Sequence, residues 1–188
     1  IYFTLLAATM QAVRTAGQKK LSTELTAIAT TGVRYIFALP FAWLYLVFII
    51  NRQDTALPVL NASFVGSALA GSVMQILGTV FLVAAFRYRN FAVATSLAKT
   101  EAIQVAVIGA LFFATPLPFW GWISVVLGVI GLILVAKVRF NVADLLSNPG
   151  AGYGLGAGMA LAVTTLFIRQ ASLALNTDLL LSAAITLV

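Results

Sequence analysis

The sequence of 188 residues contains no cysteine and no histidine. Without cysteine there is no disulfide framework and no thiolate site. Without histidine the commonest metal ligand and the usual general base are missing. Acids are scarce as well: Glu24, Asp54, Glu101, Asp144 and Asp178 are all there are. Metal clusters and Ser-His-Asp chemistry are thereby excluded, and no cofactor is expected. Charged residues make up only 9% of the chain, where about 25% is usual for soluble domains. So few charges cannot solvate the surface of a globule. What the chain has instead is apolar mass: 62% hydrophobic residues and a mean hydropathy of +1.06. Disorder, a coiled coil and a nucleic-acid-binding domain are ruled out, and the chain belongs in a bilayer. The net charge of +6 reads as cationic loops flanking membrane spans rather than as a polyanion site.

A helix needs about 20 apolar residues, at 1.5 Å each, to cross roughly 30 Å of hydrocarbon. Seven segments read as spans. The first covers Ile1 to about Ala16, extending toward Leu21. The second covers Leu25 to Ile50, with Ser22 and Thr23 as N-cap candidates and Glu24 in the first turn. Pro40 inside it removes a backbone donor and predicts a kink. The third covers Val59 to Phe86 and the fourth Phe91 to Phe113. Thr115-Pro116-Leu117-Pro118 forces a turn. The fifth covers Phe119 to Ala136, with Trp120 and Trp122 at its start as interfacial residues. The sixth runs from about Gly152 to Leu175, and a seventh begins near Thr177. Small-xxx-small pairs (Gly154/Gly158, Ser67/Gly71 and Ser124/Gly128) let helix backbones approach closely. Ordinary packing within one bundle is the simpler reading of these pairs, and dimerisation the other.

The organisation is three-part: a first five-helix unit over 1–136, a polar connector over 137–151 and the start of a second unit over 152–188. Ile1 is not a methionine and the last residues lie in an apolar run, so a piece cut at both ends is expected. A faint internal repeat aligns Lys19 with Arg169 and Ser22 with Ser172. Thr23-Glu24-Leu25 then resembles Thr177-Asp178-Leu179. A period of five spans is odd, so the second copy would enter the membrane from the opposite side. Inverted repeats of this kind place a substrate site at the midplane between halves.

Charge at mid-bilayer costs at least about 2.5–3.5 kcal/mol on insertion scales, so such residues need a reason. The fourth span is the most polar. Counted from Phe91, Glu101 lies about 15 Å in, with Lys99 about 3 Å earlier. In a continuous helix the two stand roughly 200° apart and cannot pair. Gln104 shares the face of Glu101. An arc this polar faces a cavity or ties helices together in an ion-pair network. Arg34, a third of the way along the second span, either snorkels to the interface, pairs with Glu101 or meets a substrate carboxylate. Gln11 and Arg14 share a face of the first span, and Gln75 stands alone in the third. Each of these three either lines a pathway or bonds a neighbouring backbone. Thr164 and Thr165 read as packing residues bonded to their own helix.

The second to fifth segments resemble an EamA-like member of the drug/metabolite transporter superfamily. The likeness rests on Thr31-Gly32-Val33-Arg34-Tyr35, on Ala85-Phe86-Arg87-Tyr88, on the run Ala92-Val93-Ala94-Thr95-Ser96-Leu97-Ala98, and on the glycine-spaced fifth span from Gly121-Trp122 to Gly128-Val129-Ile130-Gly131. Gln11 to Leu21 looks like the opening span of such proteins. Order and spacing carry the likeness, which covers essentially the whole sequence. Two departures stand out. Such proteins often have a proline where Ala102 or Ile103 stands, and Gly-Glu where Ala114-Thr115 stands.

The resemblance implies an all-α, multi-pass protein of the inner cell membrane, a ten-helix carrier in two inverted halves. It implies export of small organic metabolites such as amino acids or drugs. About 100 further residues, roughly three spans, would then follow the C-terminus. The expected partners are the lipid bilayer and a small solute, with no nucleic acid. Gln11, Arg14, Arg34, Gln75, Lys99, Glu101 and Gln104 are the candidate substrate-binding residues. The absence of a Walker A sequence leaves ion or substrate gradients as the drive within this chain. Glu101 is the only acid deep in a span, so a proton is the simplest coupling ion.

Two other classes compete: a structural or accessory membrane subunit, and an intramembrane enzyme using Lys99 and Glu101, which the missing His, Cys and carboxylate pair disfavours. Orientation reads two ways. Lys19, Lys20, Arg87, Arg89, Lys137 and Arg139, against Arg52 and Arg169, place the N-terminus outside. Related carriers begin in the cytoplasm.

Overall fold

The computed structural model describes residues 2–53, 57–87, 91–112, 118–136 and 149–188. Their regular structure is helical throughout: α1 (Tyr2–Leu21), α2 (Ala27–Gln53), α3 (Ala62–Ala85), α4 (Phe91–Ala98), α5 (Glu101–Phe112), α6 (Phe119–Ala136), α7 (Pro149–Ala174) and α8 (Leu179–Leu187). The connector residues 137–148, the turn at Thr115-Pro116-Leu117 and the basic Arg89 lie outside the described residues. Three helices, α2, α3 and α7, are long and apolar enough to cross a membrane, and α6 is a shorter apolar helix. With 20 residues α1 matches a span in length, yet it carries Gln11, Arg14, Gln18, Lys19 and Lys20.

Local chemistry sets the helix ends. Ser22 and Thr23 do not cap α2. Their hydroxyls donate backward to the carbonyls of Lys19 and Lys20, both at 2.7 Å, and so finish α1. The cap of α2 is Thr26, whose Oγ1 accepts from the Ala29 amide at 3.2 Å. Serine and threonine satisfy carbonyls behind them as readily as amides ahead, which is why the sequence pattern misplaces this cap. At α3 the cap is Asn61, accepting from the Phe64 amide at 2.7 Å. Asp178 caps α8 through the Leu180 amide. Asn176 takes the left-handed backbone (φ 47°) that ends α7, a conformation asparagine tolerates. Helix α2 runs without interruption through Pro40.

The centre of the fold is the antiparallel pair α3 and α7. At one end the Asn61 amide donates to the Ala174 carbonyl at 2.7 Å. In the middle, a Cβ on Gly71 would meet Phe167 at 3.4 Å. Further along, a Cβ on Gly78 would meet Leu161 at 2.9 Å, and one on Gly156 would meet Phe81 at 3.2 Å. Small residues are required here because the backbones approach to contact distance. Two of the small-residue pairs thus serve packing: Ser67, Gly71, Gly154 and Gly158 are all buried in this chain. By contrast nothing lies within 4 Å of a Cβ on Gly128.

The fourth segment departs from the expectation of one continuous helix. It stops at Ala98 and restarts at Glu101. Over the described residues the 8- and 12-residue pieces extend about 12 Å and 18 Å, each less than the roughly 30 Å of a hydrocarbon core. The break is made by local hydrogen bonds. The Thr100 amide and hydroxyl both donate to the Leu97 carbonyl, at 3.0 and 2.6 Å, drawing the chain into a tight turn. The Ile103 and Gln104 amides then take the Thr100 carbonyl and open α5.

Candidate functional site

Two polar groupings are built into this frame. The first surrounds the break between α4 and α5. Glu101 occupies the first turn of α5, where unpaired amides favour an acid. Its carboxylate accepts from the Thr165 hydroxyl of α7 at 3.3 Å, and Lys99 adds an electrostatic attraction from the turn. Thr165 also bonds the Leu161 carbonyl at 3.0 Å. A hydroxyl carries a single proton, so it serves one of these acceptors at a time. Gln104 donates to the Thr100 hydroxyl at 3.1 Å, while its Oε1 is buried with no donor facing it. Gly158 lets α7 approach this joint. A Cβ there would stand 3.2 Å from the Ala98 carbonyl and 3.3 Å from Gln104 Oε1.

In the second grouping Arg34, Tyr35 and Gln75 line a cavity of about 750 Å³ among α2, α3, α7 and α8, and Thr79 ties them together from outside that lining. Thr79, almost fully buried, is the hub of this grouping. The Thr79 hydroxyl donates to the Gln75 carbonyl at 2.8 Å, within its own helix. That leaves its lone pairs for Arg34 Nη1 and the Tyr35 hydroxyl, both at 3.1 Å. The Arg34 guanidinium also lies over the Tyr35 ring, 5.1 Å from its centroid. Arg34 is therefore held by α3 and does not pair with Glu101.

Of the residues expected to bind substrate, Arg34 and Gln75 meet at the cavity. Glu101 and Gln104 meet at the break, with Lys99 exposed on its outer side. Gln11 and Arg14 join neither lining: both lie on α1, which shares no substantial packing with another described helix. Thr164 and Thr165 do bond their own helix, as expected. Sequence reasoning passed over Tyr35, Thr79 and the contact of Thr165 with Glu101. Only the Gly154/Gly158 spacing signalled that α7 comes close to another helix.

A helical bundle with several apolar spans, one interrupted at its polar centre, is the build of an all-α, multi-pass membrane protein. The chain belongs to the EamA-like transporter family of the drug/metabolite transporter superfamily, whose family model matches residues 1–137. No curated protein and no solved structure gives a match.

Proposed function

We propose that the chain forms part of a secondary transporter that exports small organic metabolites such as amino acids or drugs across the inner cell membrane. ATP is not its drive. The carrying observation is the interrupted span. A membrane helix broken at mid-depth, with its one deep acid at the start of the second piece, is a recurrent way to hold a solute or coupling ion. Backbone freed from helical bonding is tolerated at that depth only where protein or a cavity covers it, and here α7 covers it through Gly158. Glu101 is the proton-carrying group. When Thr165 gives its proton to the Leu161 carbonyl, a protonated Glu101 donates to the Thr165 oxygen. When Glu101 is ionised, Thr165 turns to it.

Residues 1–136 form the first of two inverted halves, 137–151 the connector and 152–188 the opening of the second. The test is uptake or efflux of labelled amino acids by the full chain in sealed proteoliposomes under an imposed pH gradient. Wild-type protein should move solute with the gradient, and Glu101→Gln should abolish or uncouple that movement while still inserting. Gradient-driven transport by Glu101→Gln at the wild-type rate would remove Glu101 from the mechanism.

A further inference from the structure

The broken span makes no use of the strongest cation at the cavity. Arg34 is half-buried there, and the walls around it are apolar: Leu39, Phe41, Ile76 and Ile168. A guanidinium has five N–H donors in a fixed fork. Among the described residues Thr79 is its hydrogen-bond partner, through Nη1 alone. The Tyr35 ring and the Thr79 hydroxyl fix its orientation without neutralising its charge. Among the described residues no nearby charge neutralises it either. Arg14 of α1 lies close enough for the two like charges to act on each other, and Glu101 is engaged with Thr165. The cavity thus has one oriented cationic fork in a half-open apolar cleft whose volume suits a drug-sized molecule.

We infer that Arg34 anchors the carboxylate of an amphipathic organic acid whose apolar body lies against Phe41, Ile76 and Ile168. Planar, bidentate pairing is what distinguishes arginine from lysine at carboxylates. Held by Thr79, the fork loses little freedom when the ligand arrives. Ser72 and Thr186 line the same space, but each spends its hydroxyl proton on its own helix, on the Ala68 and Ser182 carbonyls at 2.8 Å. They are left as acceptors and do not compete with Arg34 for the anion. This assignment rests on the reading of the chain as a solute carrier and names the class of solute.

Equilibrium binding to the full chain in detergent tests it without requiring transport. The probes are 4-phenylbutyrate, its neutral amide and the cationic 4-phenylbutylamine, followed by calorimetry. Phenylbutyrate should bind at least tenfold more tightly than the amide, and the amine least. Arg34→Gln should erase the difference between acid and amide, weakening the acid far more than the amide. Arg34→Lys should restore part of it. Should Arg34→Gln fail to fold, Ala38→Trp fills the same cleft and should weaken acid and amide together. Equal binding of acid and amide by wild type, or unchanged phenylbutyrate binding by a folded Arg34→Gln, would overturn the assignment. Transport of other solutes with no phenylbutyrate binding would sink the carboxylate site alone. Phenylbutyrate binding without any transport would sink the carrier reading and leave the site standing.

Discussion

Helices α1 and α3 contain similar ingredients and meet different fates. Each has small residues, hydroxyls and a glutamine within an apolar stretch. In α3, Ser67, Gly71, Gly78 and Thr79 are buried against neighbouring helices, and Gln75 lines the cavity. In α1, Gln11 is left outside both polar groupings, Arg14 approaches Arg34 only as a like charge, and a Cβ on Gly17 would meet nothing within 4 Å. The difference lies in the partner. Helix α7 meets α3 through Gly156 against Phe81, Leu161 against Gly78 and Phe167 against Gly71, while Gly158 on the same helix faces the break between α4 and α5. Polar residues in an apolar segment mark a helix that avoids lipid on one side. Small residues at helical spacing on two segments mark which helices meet.

The largest expected effect comes from forcing the α3–α7 seam apart. Gly78→Ala puts a Cβ 2.9 Å from Leu161 Cγ and 3.2 Å from the Leu161 backbone nitrogen. Overpacking of this kind costs about 1–3 kcal/mol, so the melting temperature in detergent should fall clearly. Gly128→Ala on α6, where space is open, should leave the melting temperature unchanged or raise it, since alanine is favoured over glycine by roughly 0.5–1 kcal/mol in a helix. Equal losses from both substitutions would erase the distinction between seam and periphery.

A smaller effect is expected from Asn61→Ala. It removes the cap of α3 and the bond to the Ala174 carbonyl together. A cap alone is worth about 0.5–2 kcal/mol, and hydrogen exchange should report fraying at the start of α3 and the end of α7 in the same variant. Fraying of α3 alone would show that the bond to α7 contributes nothing. The smallest effect belongs to Gln11→Ala, a change at an exposed position expected to stay within about 0.5 kcal/mol. A melting shift as large as that of Gly78→Ala would give Gln11 a packing role that its exposure does not show.

How far the sequence is legible varies by feature. The start of α6 at Phe119 is the one read from Pro118 and the two tryptophans, because proline ends a turn by covalent geometry alone. The break after Ala98 is not legible. No proline or glycine stands there, and Thr100 makes the turn with a hydrogen bond that threonine also makes inside intact helices. The polar run from Thr95 to Gln104 is the visible sign, and it reads as a face when it is also a joint. Arg34, Gln75, Glu101 and Gln104 are legible because polarity within a span is expensive. Their partners Tyr35, Thr79 and Thr165 are not. A threonine bonded to its own helix looks the same whether or not another helix brings it an arginine or a glutamate.

The bond from Asn61 to the Ala174 carbonyl has a consequence for how often the chain crosses the membrane. It joins the beginning of α3 to the end of α7, so the two helices run in opposite directions. Two spans of one chain run oppositely only when an even number of crossings separates them. Among the described residues, α4, α5 and α6 lie between α3 and α7. Three separate crossings would make α3 and α7 parallel. Counting α4 and α5 as the two pieces of one interrupted crossing, followed by α6, restores the even number. One asparagine side chain at the membrane edge thereby agrees with the hydrogen bonds of Thr100, far along the chain, that the fourth segment goes through the bilayer once.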